Sequence, residues 1–273
     1  MLRLQSETGW WLTTHPDHAR LAAAFAEHWG NQLFARPEPR ARVLYGIAAH
    51  DDGWTQRDAR PQITRQGKPS AFSTELVGKY SAFEEIDLAD YLSVRDRAVR
   101  LVADKDAYAA LLVSMHTYNL LTERADRATI VPEQLPLLDE FLKKQKSLQE
   151  ELFSRIQEEP GLSAEEKSRT QIEDHFKLLQ ACDNLSLLSC VDYGERATLL
   201  HRLPLRDGPA TPVSVEALGA RHFRLSPYPL DVSPLMVEFP ARHVEGKVFE
   251  DAARLQSQYA AAEVKSLTVT ISP

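Results

Sequence analysis

Cysteine is scarce: the chain has two, Cys182 and Cys190. Eight residues apart on one helix, they would stand about 12 Å apart at 1.5 Å of rise per residue, too far for a disulfide. Long apolar runs are also missing. No stretch approaches the roughly 20 consecutive apolar residues that cross a bilayer, and the opening MLRLQSETGWW has neither the basic nor the apolar region of a signal peptide. A cytoplasmic protein without disulfides or a membrane partner is expected. Nor is there an excess of positive charge, since 32 Lys and Arg against 39 Asp and Glu leave a formal net charge of -7. This balance argues against gripping nucleic acid or an anionic membrane through bulk charge. An anionic substrate would have to be met by local groups.

What is present is an ordinary globular composition. With 273 residues and 43% hydrophobic content, the chain can bury one sizeable core, or a core and a satellite. Residues 1–14 alternate and carry Trp10 and Trp11 after an ETG turn signal, which predicts a β-hairpin. Apolar spacings of three and four then predict helices near 17–30, 40–52, 88–103, 106–123, 133–158 and 164–192. After Tyr193 seven prolines from Pro204 to Pro240 interrupt short β-prone runs such as PLMVEF and SLTVTIS, with one more helix expected at about 249–263. The expected fold class is mainly α: a helical bundle with a short N-terminal hairpin and a small C-terminal β-rich appendix. Residues 1–193 would form the helical domain and 194–273 the extension.

Four of these helices carry a polar residue on an apolar face. His18 shares a stripe with Ala22, Phe25 and Trp29. Val43 and Ile47 lead to His50 and Asp51 in the motif AAHDDGW; Ala109, Leu112, Val113 and Leu120 bracket His116; Ile172, Phe176, Leu179, Leu187 and Cys190 form a stripe broken by Asp183. An ionised carboxylate taken out of water is costly unless it is paired, neutralised or bound to metal. Two carboxylates with two or three imidazoles form a common coordination set for a divalent ion such as Mn, Fe, Co, Ni or Zn, with Mg a further candidate. Neighbours on a helix diverge by about 100°, so His50 and Asp51 converge only if the helix ends there, and Gly53 is the expected break. Taken singly, an inward histidine is more often bonded to a backbone carbonyl than to metal; the combination on four helices favours a metal. His15 reads as a loop or supporting residue. His28 and His175 fall off the stripes and are expected to face solvent, and His201, His222 and His243 lack ligand spacing.

The order His18, then the doublet His50-Asp51, then distant Asp183 resembles the HD superfamily of metal-dependent phosphohydrolases, in a bacterial branch with PDHARLA-like and HDDGW-like segments. The resemblance implies an HD-domain-like bundle with His18, His50, Asp51 and Asp183 as metal ligands and His116 as an auxiliary histidine. Dinuclear members use two further histidines, and here only His116 has the inward placement, so a single ion, or one tight and one weak site, is expected. The implied reaction is hydrolysis of a small phosphorylated molecule or nucleotide, with Asp52 a candidate general base. The stretch from Gly53 to Lys79 reads as a lid that carries Arg57, Arg60, Arg65, Lys68 and Lys79, with Trp54 and Arg57 the first candidates for substrate contact. The alternatives are an iron-dependent HD-type oxygenase, which needs a second iron at His116, and a non-catalytic metal or nucleotide sensor. Exposed apolar positions in the β-rich tail suggest a homodimer.

Overall fold

The computed structural model describes residues 1–80, 83 and 86–273. The chain opens with β1 (Leu2–Gln5) and β2 (Gly9–Thr13), an antiparallel hairpin in which Leu2 faces Thr13 and Gln5 faces Trp10. The helices follow: α1 (His15–Glu27), α2 (Arg40–Ala49), the single turn α3 (Thr55–Asp58), α4 (Leu88–Ala103), α5 (Ala107–Glu123), α6 (Leu135–Glu158) and α7 (Arg169–Cys190). Side-chain caps set most of their starts. Thr14, Asp87, Asp106 and Ser168 accept from the backbone amides of Asp17, Asp90, Ala109 and Gln171, which satisfies N–H groups that the first helical turn cannot pair. No helix among the described residues is long and apolar enough to cross a membrane.

The second half of the chain corrects the expected fold. Strands β3 (Ala197–Thr198), β4 (Ser214–Gly219), β5 (His222–Ser226), β6 (Leu235–Glu245) and β7 (Val264–Ser272), with α8 (Ala252–Ala261) before β7, do not form a minor appendix to a helical bundle. They join the N-terminal hairpin in one seven-stranded mixed sheet of order β1-β2-β6-β7-β5-β4-β3. Trp10 on β2 lies opposite Val244 on β6, and β5 and β7 run parallel, the one parallel pair described. The physical reason is that a two-stranded hairpin is marginal alone in water. β2 finds its further partner more than two hundred residues away, and Trp10 and Leu12 are buried with Val244, Phe249, Leu255 and Tyr259 beneath α8. The main core is continuous across residue 193, since Leu21, Phe25, Ile47, Leu112 and Leu179 share it with Phe223, Phe239 and Ile271.

Two glycines let the helices approach closely enough to bring the site together. A Cβ on Gly46 of α2 would stand 3.3 Å from Ala109 of α5. A Cβ on Gly53 would lie 2.2 Å from the Val94 carbonyl oxygen and 2.8 Å from the Ala98 nitrogen, both on α4. Gly53 does not take a left-handed conformation, so it serves close packing and is not the helix terminator the sequence suggested. The helix ends earlier, at Ala49. Replacing Gly53 with alanine is expected to cost about 3 kcal/mol through overpacking, whereas Gly161→Ala, with open space around the new methyl, should stay within about 1 kcal/mol of wild type. Thermal unfolding of both variants checks this, and equal melting temperatures would contradict the packing role of Gly53.

Candidate metal centre

The five inward residues expected from the helix faces converge. His18 comes from α1, His50 caps the C-terminus of α2, Asp51 follows it, His116 is on α5 and Asp183 is on α7. All are deeply buried, with relative exposures of 1% for His18, 0% for His50, 3% for Asp51, 1% for His116 and 6% for Asp183. They form two groups that share His50: His18, His50 and Asp51 in one, His50, His116 and Asp183 in the other, each with its ligand atoms within 4.8 Å of one another. These are buried histidine and aspartate clusters able to hold a metal ion.

The hydrogen bonds fix how two of the imidazoles present themselves. His50 Nδ1 lies 2.7 Å from the Ile47 carbonyl oxygen, which can only accept, so Nδ1 carries the proton. Its Nε2 is buried and has no hydrogen-bond partner. Ser186 donates its one hydroxyl proton to the Asp183 carbonyl at 2.8 Å, so its Oγ accepts from His18 Nδ1 at 2.9 Å. In neutral imidazoles both Nε2 atoms then hold lone pairs, and both face carboxylates. His18 Nε2 is 3.0 Å from Asp51 Oδ2, while His50 Nε2 is 3.8 Å from that same oxygen and 3.4 Å from Asp183 Oδ1. Lone pair against lone pair is repulsive, and either a proton or a metal ion among these atoms would relieve it. The separations suit a metal, because ligand atoms bonded at about 2.1 Å to one ion stand about 3.0 to 3.4 Å from adjacent ligands. A backbone-tethered Nδ1–H is also the usual support of a metal-binding histidine.

Without an ion the centre balances its charge by other means. Arg95 of α4, buried, donates to Asp51 Oδ1 at 2.6 Å and to the Tyr91 hydroxyl at 3.2 Å. Burial would raise the Asp51 carboxyl, but the charges of Arg95 and His50 hold it well below the usual range. Burial would likewise raise Asp183, and its contact with His50 lowers it. For His50, burial disfavours the charged form, yet the charges of Asp51 and Asp183 outweigh it and lift the imidazole to about 9. A proton on His50 is thus the competitor of a metal ion. His116, farther from the carboxylates, is pushed down to about 3 by burial.

The remaining candidates lie around this centre. Trp54 is buried, with its ring stacked on His15 at 4.2 Å and edge-on to Tyr91 at 5.7 Å. Arg57 lies over Trp54 and pairs with Asp90 at 3.7 Å. Asp52 turns outward and pairs with Arg20 at 3.0 Å, apart from both histidine–aspartate groups. The expected lid is a strap tied to the rest of the fold: Phe72 exchanges backbone bonds with Met1 and Arg3, and Phe249 N–H donates to the Gly67 carbonyl. Arg60, Arg65 and Lys79 on it are exposed.

Sequence reasoning missed several members. Arg95 shares a buried face with Tyr91, Ala98 and Val102, the same periodic signal that located the histidines. His15 begins α1 and bonds to buried Asp58, and burial lowers it to about 4. Gln180 lies beside His116. His175, expected in solvent, is buried against Tyr108, whose hydroxyl is 2.8 Å from Nδ1. His28 is half-buried and pairs with Asp231.

Fold and site together define a mixed α/β protein whose helices enclose a buried histidine–aspartate centre under a seven-stranded sheet. The chain belongs to the family described as "Protein of unknown function (DUF3891)", which it matches over residues 1–246. No curated protein and no solved structure matches it.

The buried histidines make stability sensitive to acid. The folded chain keeps His15, His116 and His175 neutral down to about 4, 3 and 4, burial being the main cause in each, whereas the unfolded chain takes up those protons from about pH 6.5 downward. The unfolded state then binds more protons, so stability falls as pH drops from 6.5 to 4, on the order of 1–4 kcal/mol per pH unit. Melting temperatures of ion-free protein across this range should show the slope, and His175→Gln should make it shallower. A flat profile would contradict the neutral assignment.

Proposed function

We propose that this chain is a metal-dependent hydrolase of the HD-superfamily type, acting on a small phosphorylated molecule or nucleotide. The observation that carries the reading is the buried, partnerless Nε2 of His50, its proton tethered on the far side of the ring and its lone pair aimed at two carboxylates. His18, His50, Asp51 and Asp183 would hold one divalent ion. A single ion is favoured because His50, with Nδ1 committed to Ile47, has one lone pair to give, although it belongs to both ligand groups. Asp51 is similarly restricted, with Oδ1 engaged by Arg95. This weighs against the oxygenase alternative, which needs two irons.

When bound, such an ion lowers the pKa of a coordinated water and polarises a phosphoryl oxygen. The chain's own residues then favour an anionic substrate. Two carboxylates and Arg95 leave one negative charge among neutral imidazoles, so a divalent ion makes the centre net positive. Arg95, its guanidinium 5.5 Å from the Trp54 ring centroid and 5.2 Å from that of Tyr91, supplies a fixed cation beside it. Trp54 and His15, stacked, exclude water from that side. Asp52, at the outer edge, is the carboxylate able to pass a proton to solvent after release from Arg20.

The near-complete burial of the ligands favours one second reading, a non-catalytic sensor that holds its ion in a closed site. Elemental analysis of purified protein, followed by assays of phosphomonoesters, phosphodiesters and nucleotides with Mn, Fe, Co, Ni, Zn or Mg added, separates the two. The hydrolase reading expects about one ion per chain and turnover of at least one ester, with Asp183→Ala losing the ion and activity falling on the order of 100-fold. An ion without turnover leaves only the sensor. No ion under any metal would end both.

A further inference from the structure

His116 differs from the two other imidazoles of the centre in what it presents. Its Nδ1 faces the side-chain amide nitrogen of Gln180 at 3.4 Å, the loosest contact of this network. That amide nitrogen also donates to Asn119 Oδ1 at 3.0 Å, and the amide oxygen, on the other side, is bonded to His201 Nε2. Gln180 is fully buried and half-buried His201 lies at its far end, the ring of Phe176 5.6 Å from that of His201. His201 holds a left-handed backbone conformation, φ 66, uncommon for a residue with a side chain. It is the bend after β3 that brings this imidazole to the amide.

The orientation of the amide has a consequence for His116. An amide NH2 can only donate, so the His116 nitrogen facing it must be the one with the lone pair. The proton of the neutral ring then sits on Nε2. His18 and His50 offer lone pairs to the centre; His116 offers an N–H. An N–H cannot ligate a cation, but it can donate to an anionic oxygen held beside one, as preorganised donors do where negative charge gathers.

We propose that Gln180 and His201 are positioning residues that lock His116 as a hydrogen-bond donor to an anionic oxygen at the centre, and that His116 is not a metal ligand. The inference builds on the metal-centre reading above, but it concerns a tautomer that exists with or without an ion. His201 donates to the Gln180 oxygen, this turns the amide nitrogen toward His116, and that nitrogen excludes a proton from Nδ1. Asn119 holds the same amide from a second side.

The test is 15N NMR of the full chain with labelled histidine, ion-free and then titrated with zinc, with His116→Gln to assign the resonance. Wild-type His116 is expected as the Nε2–H tautomer, and zinc should shift His18 and His50 to coordinated values but leave His116 protonated. Gln180→Glu replaces the donor with an acceptor, so His116 should switch to Nδ1–H and gain a zinc-bound signature. His201→Asn suits the left-handed backbone and is too short to reach Gln180; it should leave a mixture of the two tautomers in a chain that circular dichroism reports as folded. An Nδ1–H tautomer in wild type, or zinc coordination by wild-type His116, would overturn the proposal. Should zinc perturb no histidine, the metal reading fails, while the ion-free tautomer still decides the role of Gln180.

Discussion

The structure turns on two imidazole nitrogens whose lone pairs face two carboxylates in a buried helical interior. Each of the four groups is tolerable there only in company. The Ile47 carbonyl and the Ser186 hydroxyl take the Nδ1 protons of His50 and His18 and so force the lone pairs inward. Arg95 offsets one of the two negative charges and no more. What is left is a cluster of electron-rich atoms with spacings near 3 to 4 Å, which either a proton on His50 or a metal ion can relieve. Buried charge of this kind is weak evidence of stability; it is better explained by use.

The surrounding fold makes that convergence possible. α2 stops at Ala49; His50, its cap, keeps right-handed helical angles and the backbone leaves them at Asp51 (φ -117, ψ 15), so the two side chains can point to one place. Gly46 and Gly53 let α2 and the turn after it lie directly on α5 and α4, which brings His116 and Arg95 within reach. α1 and α7 pack along each other and supply His18 and Asp183. The sheet contributes no ligand from its strands. It covers the helices through Phe223, Phe239 and Ile271, and it anchors the N-terminal hairpin that leads into α1.

Much of the centre was legible because it lies on helices, where a period of 3.6 residues converts spacing into direction. His18, His50, Asp51, His116 and Asp183 all turned inward as their stripes indicated. Arg95 carried the same signal and was overlooked because arginine is seldom wholly buried. His175 was misplaced because α7 is enclosed on nearly every side, with Ile172, His175, Phe176, Leu178 and Leu179 all buried, so no stripe separates inside from outside. Gln180 escaped because an amide carries no charge to make its burial conspicuous. The seven-stranded sheet was hidden for another reason: alternation marks a strand but not its partner, and the pairings of β2 with β6 and of β5 with β7 join segments far apart in sequence.

Anomalous diffraction from crystals of the protein grown with one equivalent of zinc or manganese tests the central claim most directly. A single anomalous peak bounded by His18 Nε2, His50 Nε2, Asp51 Oδ2 and the Asp183 carboxylate is the predicted result. A peak elsewhere with this centre intact, or no peak while His50 remains paired to Asp183 through a proton, would contradict it.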